Sequence, residues 1–202
     1  TIGQIIESHD YETPQDYYRD FKKNDPKALL PDMDGNAIYT RSVEEKMICF
    51  YLSSLGLDFR YEEAYEYQTK DKNHRQYKPD FSIYYRDRNG IKKRVYLEHF
   101  AINKKNEVPK WFAQGNETYE QANKKYNEGI IWKRDRHRLN RTTLIETHSY
   151  DFHNGNVLDV IKSELMRVGV PYTNVSPEKI YKEAIKYNKN IHWFVQEIKG
   201  NL

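Results

Sequence analysis

The sequence predicts an α/β fold in which a long helix packs on a mixed sheet, and three observations predict it. Residues 42–55 place Met47, Ile48, Tyr51, Leu52 and Leu55 at helical spacing. Residues 80–85 and 93–100 are rich in aromatic and β-branched types and flank Asn89-Gly90, a two-residue turn signal for a hairpin. Residues 117–138 return to a helical pattern and lead into the β-branched run Thr142-Thr143-Leu144-Ile145. The order is helix, three strands, helix, strand and a helical tail, which layers helices on a sheet.

The lead-in, residues 1–40, is polar, with one short helix over 14–23 and a turn at Pro31-Asp32-Met33-Asp34-Gly35. Ser42 opens the first long helix and Gly56 ends it. Residues 57–67 read as a strand with Phe59, Tyr61 and Tyr65 on one face, and a loop over 69–76 follows. In the hairpin, Phe81, Ile83 and Tyr85 alternate to one face, as do Val95, Leu97 and His99. Residues 101–116 are irregular; the next helix carries Tyr119, Ala122, Tyr126, Ile130 and Lys133. After a strand over 142–148 come a helix over 157–168 and one opened by Ser176-Pro177, with Pro at the favoured first position. A last short helix holds Ile191, Phe194, Val195 and Ile198. The chain thus divides into the lead-in, a core over 41–152, and a helical tail over 153–202 packed on or beside that core.

At 202 residues the chain has room for one domain with a real core, or one domain plus a small appendage. Charged residues reach 31%, so the surface is heavily charged, yet the net charge of +3 is too small to argue nucleic-acid binding alone. The 18 tyrosines supply amphipathic surface suited either to stacking on bases or to half-buried core. Cys49 is the only cysteine, which excludes a disulfide framework and a thiolate zinc site and points to a reducing, cytoplasmic compartment. No apolar run approaches the ~20 residues of a membrane span. The start at Thr1 without Met reads as a piece cut from something longer. No Gly-x-x-x-x-Gly-Lys-Ser/Thr loop is present, so these residues alone do not cradle ATP phosphates.

The hairpin carries the chemistry. Centred near Asn89, it sets Asp80 opposite Glu98 on the face shared with Ser82, Tyr84, Tyr96 and Phe100, with Cβ atoms roughly 5 Å apart. Two like charges so placed repel, and a divalent cation removes the repulsion, because paired carboxylates suit Mg²⁺ or Mn²⁺. Acids on neighbouring strands are more often simply solvated, but this face is too aromatic for a purely solvated surface. Glu45 is a third acid. With Ser42 three residues before it, it fits a capping box at least as well as a catalytic place.

Together, helix-borne Glu45, Pro79-Asp80-Phe81 and Tyr96-Leu97-Glu98-His99-Phe100 resemble the PD-(D/E)XK nuclease superfamily, whose restriction-endonuclease-like core runs α-β-β-β-α-β. More closely, residues 42–55, 61–62, 77–81, 96–100, Trp132-Lys133, His137 and 142–147 resemble the nuclease-like domain inserted in UvrD-like superfamily 1 DNA helicases related to helicase IV. The resemblance covers roughly residues 40–200. It implies that Asp80 and Glu98 hold one or two Mg²⁺ or Mn²⁺ ions, with Glu45 assisting at the metal or positioning water, for hydrolysis of a DNA phosphodiester. Two positions depart from the pattern: Phe100 stands where the superfamily has Lys, and Ala101 where glycine is expected. Lys133, on the next helix, is the candidate replacement, with Lys124 or Lys125 behind it; a plain surface cation is an equal account of Lys133.

The resemblance also implies DNA and the helicase motor domains of a parent chain as partners, in repair or defence, with a nucleoid-associated location and no membrane. A catalytically inactive DNA-binding or docking module, and a stand-alone restriction-type endonuclease, stay open beside it. Alternation turns His99 away from the acids, as a core or supporting histidine. His137 and Glu146 either line the site or serve structural salt bridges. Trp111, Trp132 and Trp193 read as core or groove walls.

Overall fold

A computed structural model describes residues 11–23, 26–153 and 155–187. The elements are α1 (Pro14–Lys23), α2 (Val43–Ser54), β1 (Asp58–Tyr61), β2 (Phe81–Arg86), β3 (Lys92–Phe100), α3 (Tyr119–Leu139), β4 (Leu144–His148), α4 (Ser149–His153), α5 (Val157–Arg167) and α6 (Pro177–Tyr187). The sheet runs β1-β2-β3-β4, with the first three strands antiparallel and β4 parallel to β3. The chain is therefore α/β with a four-stranded mixed sheet, and α3 is the crossover that a parallel β3–β4 pair requires. No helix among the described residues is long and apolar enough to cross a membrane.

Both faces of the sheet are covered. Phe59, Phe81, Ile83, Val95, Leu97 and Ile145 form one core with Ile48 and Leu52 of α2 and Ile161 and Leu165 of α5. Tyr96, Glu98 and Phe100 point the other way, toward α3, as strand alternation demands. Helix α2 begins where the Ser42 hydroxyl accepts the Glu45 N–H (3.1 Å). It stops at Gly56, whose φ of +63° suits glycine, with Leu57 N–H returning to Leu52 O (3.1 Å) in a Schellman closure. A Cβ at Gly56 would come 3.0 Å from the carbonyl oxygen of Thr173, so the tail leans on the end of α2 at this glycine.

Three expectations change. The hairpin loop is a three-residue turn closed by a bulge, with Gly90 N–H on Asp87 O (2.9 Å), Asp87 N–H on Ile91 O (3.0 Å) and Gly90 at φ +77°. The strand expected over 57–67 ends at Tyr61. Glu62 takes φ +48° while its N–H bonds Asp80 O (3.0 Å). That turn sends Tyr65 to the α3 side, against Tyr77 and Tyr96, instead of leaving it beside Phe59 and Tyr61. Helix α3 starts at Tyr119, after Thr118, whose hydroxyl and backbone N–H pair reciprocally with Gln121 in a capping box that periodicity alone passed over. The last helix expected, around Phe194, lies outside the described residues, as does Trp193.

Candidate active site

Register places the acids. Phe81 pairs Leu97, so Asp80, one residue before β2, stands across from Glu98. Asp80 Oδ2 accepts the His99 backbone N–H (2.7 Å), which ties its carboxylate to β3. Glu98 is fully buried; its Oε1 accepts the Tyr77 hydroxyl (2.6 Å) and its Oε2 the Lys133 ammonium (2.5 Å). Lys133 reaches down from α3, with its Nζ 5.5 Å from the ring centre of Phe100. The residue that takes the place of the expected strand lysine thus lies beside the helix lysine.

Glu45 does two things at once. Its backbone N–H completes the Ser42 cap, but its carboxylate does not return to Ser42. Instead it accepts the Arg41 N–H (3.0 Å) and the Tyr61 hydroxyl (2.5 Å), next to the end of β1. Only half of the expected capping box forms. The freed carboxylate is held close enough to Asp80 for their charges to interact.

The electrostatics follow from crowding. Burial, and then the charge of Asp80, pushes the Glu98 carboxyl up from 4.5 to about 8. The same two causes in the same order push Glu45 up to about 7. Burial works to lower the pKa of Lys133, but Glu98, Asp80 and Glu45 outweigh it and raise it above its ordinary value. One fixed cation therefore faces three carboxyl groups, and the excess negative charge is partly relieved by protons at neutral pH. Among the described residues no group of three or more His, Cys, Asp or Glu side chains is arranged to hold a metal ion.

A hydrogen-bonded chain backs Glu98. Because Tyr77 gives its proton to Glu98, the Nε2 of His137, 3.0 Å away, must donate to the Tyr77 oxygen. Nδ1 then accepts from Thr142 Oγ1 (2.8 Å), whose oxygen receives the Tyr65 hydroxyl (2.5 Å). Burial holds His137 down to about 4, so the ring is neutral, as this proton order requires. His137 therefore belongs to the support of the site and makes no salt bridge among the described residues.

The other residues singled out from sequence separate cleanly. His99 points to the α2 side, where its Nε2 meets Glu44 Oε2 (2.7 Å) and its Nδ1 meets Thr147 Oγ1 (3.1 Å). Glu44 also accepts the Ser149 hydroxyl (2.7 Å), so the neighbour of Glu45 pins α2 to β3 and α4. Glu146 is held bidentately by Arg134 at 2.7 Å on each oxygen, which is its structural alternative. Lys124 pairs with Glu128 (3.9 Å) and Lys125 with Glu117 (3.5 Å), leaving Lys133 as the lysine at the acids. Trp111 is core, stacked on Tyr17, and Trp132 packs edge-on to Tyr77. Beside Lys133 opens a groove of about 340 Å³ walled by Phe100, Phe112, Tyr126 and Ile130.

Tyr77, Tyr61 and Glu44 drew no site role from the sequence and were met there only within an expected strand or the resembling stretches. Tyr77 left a faint signal, standing three residues before Asp80. No protein-family model, curated protein or solved structure matches this chain.

Proposed function

We propose that this chain is a metal-dependent DNA phosphodiester hydrolase of the PD-(D/E)XK type, with a restriction-endonuclease-like core, serving the motor domains of a larger UvrD-like helicase. One observation carries the proposal. Asp80, Glu98 and Glu45, from the start of β2, the end of β3 and the first turn of α2, gather around Lys133, and the charge of Asp80 raises the pKa values of the other two.

The donor set fits Mg²⁺ or Mn²⁺. All its members are hard oxygens, and Mg²⁺ keeps most of its waters and takes only one or two carboxylates from the protein. Asp80 and Glu98 would hold the ion, with Glu45 at its water. When bound, the ion supplies a water of lowered pKa and neutralises charge on the phosphate. The chain's own groups do the rest. The His99 N–H and the Tyr77 hydroxyl fix the two carboxylates, Tyr61 fixes Glu45, and Lys133 offers positive charge to the developing phosphorane.

The test is cleavage of single- and double-stranded DNA with Mg²⁺ or Mn²⁺. Wild type is expected to cut, and Asp80→Ala and Glu98→Ala to lose about 10³-fold or more while still melting cooperatively. Lys133→Ala is expected to lose on the order of 10²-fold. A second reading has its own support: both Glu98 oxygens already have protein partners, and Phe100 replaces the superfamily lysine. In that case the fold is an inactive DNA-binding or docking module of the helicase. DNA binding without cutting under either metal would establish it and remove the nuclease.

A further inference from the structure

Many basic side chains of this protein are internally neutralised, and others are not. Arg41, Arg60, Arg94, Arg134 and Arg167 each pair with a carboxylate. Lys70, Lys72, Arg75 and Lys78 are all exposed, and no carboxylate among the described residues pairs with any of them. The one acid in their loop, Asp71, is already engaged: its carboxylate accepts the N–H groups of Asn73 and His74 at 2.7 Å and holds the His74 ring. Four unneutralised cations thus stand within nine residues.

Their loop is a built frame. Gln76 reaches across it, donating to Tyr65 O (3.0 Å) and Tyr67 O (2.9 Å) and accepting the Thr69 N–H (3.0 Å). Thr69 Oγ1 closes the base on the Tyr77 N–H (2.8 Å). At the tip, His74 stacks on Trp132 with ring centres 4.6 Å apart and planes 12° from parallel. The frame meets the acid site twice. It runs directly into Tyr77 and Asp80, and its tip rests on the residue before Lys133.

We propose that the clasped loop over 69–78 is a nucleic-acid backbone contact, guiding a DNA strand onto the acids through Lys70, Lys72, Arg75 and Lys78; it rests on the nuclease proposal for the identity of the strand. Cations without internal partners keep their charge for phosphates, and a rigid frame spares much of the ordering that flexible lysines otherwise require. The hairpin tip makes a matched control. Arg86, Arg88, Lys92 and Lys93 are equally basic but sit at the far end of β2 and β3, roughly 20 Å from Asp80 at 3.3 Å per residue.

The experiment measures affinity of the full chain for a labelled single-stranded oligonucleotide and its duplex, with metal withheld, over a range of salt. Wild type is compared with two fourfold alanine variants, one at Lys70, Lys72, Arg75 and Lys78 and one at the hairpin tip. The loop variant is expected to bind at least tenfold more weakly and to lose about 3–4 from the slope of log K against log salt, at ~0.7–0.9 for each of four phosphate contacts. The tip variant is expected to stay within about twofold of wild type. Both should keep the wild-type melting temperature, and the loop variant should raise KM for cleavage while leaving kcat in place. Equal loss in both variants, or none in the loop variant, overturns the inference and leaves the nuclease intact. Binding that depends on the loop, with no cleavage by wild type, keeps the inference and sinks the nuclease. Competition by polyglutamate as strong as by DNA would show a surface that reads charge alone, and would also overturn it.

Discussion

On the side of the sheet that faces α2 and α5 the packing is largely apolar, and its polar contacts, His99 with Glu44, Thr147 and Ser149 and Glu45 with Tyr61, tie α2 to the strands and α4. On the side that faces α3 the burial is just as deep, but tyrosines fill the space: the Tyr77 hydroxyl bonds Glu98, while those of Tyr65 and Tyr96 go to Thr142 and Glu66. The first face gains stability from area removed from water. The second spends part of that gain on holding like charges together, which only a bound cation or protons relieve. Apart from Glu45, which comes from α2, the two sides of the sheet thus divide stability from the proposed chemistry, and three perturbations would break or sharpen that division.

The largest effect is expected on the apolar side. Leu52 has no exposed surface, so Leu52→Ala should cost about 2–5 kcal/mol in chemical denaturation. Cleavage per folded molecule should not change. If activity falls faster than the folded fraction, the two faces are coupled and the division fails.

Next comes pH. Glu98 and Glu45 have folded-state values raised to about 8 and about 7 from 4.5, so as pH rises from 4.5 the unfolded chain gives up these protons first. Stability should therefore decline from about pH 4.5 to about pH 8 in metal-free buffer. Asp80→Asn should flatten that decline by removing the like charge. Mg²⁺ should raise the melting temperature more at pH 8 than at pH 5, a measure of ion binding independent of activity. A melting profile that climbs across this window would contradict the crowding of the three acids.

The smallest effect expected is that of Tyr77→Phe. Removing the hydroxyl deletes one charge-assisted hydrogen bond to Glu98 and strands His137 Nε2, for about 1–2 kcal/mol of stability. Cleavage should fall roughly tenfold, and its pH profile should shift upward as Glu98 loses a donor that favours its ionised form. Thr142→Val, two bonds farther out, should do less of both. An equal effect would mean that the chain acts as one unit.

The parts of this division that were legible in the sequence depend on local pattern. Alternation along residues 81–85 and 93–100 separates apolar residues from Glu98, and helical spacing marks α2 and α3. The illegible parts are contacts between distant segments. Nothing near Tyr77 reveals that His137, 60 residues on, will fix its proton. Glu44 and Glu45 look alike as a helix-capping pair, yet they serve opposite ends of one construction, since one meets His99 and the other stands by Asp80. The end of β1 at Tyr61 was hidden for the same reason: Glu62 turns because its N–H finds Asp80 O, a partner that exists only once β2 is in place.

Gly90 has a reach that its exposed position conceals. Side chains change sides at every residue, so the number of residues in the turn, rather than their identity, decides whether Asp80 and Glu98 share a side of the sheet. The odd count closed by the Gly90 bulge keeps them together. Exchanging Arg88 or Asn89 for other residues would pass unnoticed, and inserting two residues would preserve parity. Inserting or deleting one would be felt several residues away as a missing acid, with every local contact around it still well made. Gly90 apart, the tip of the hairpin is thus free to drift in spelling while being held to an odd count.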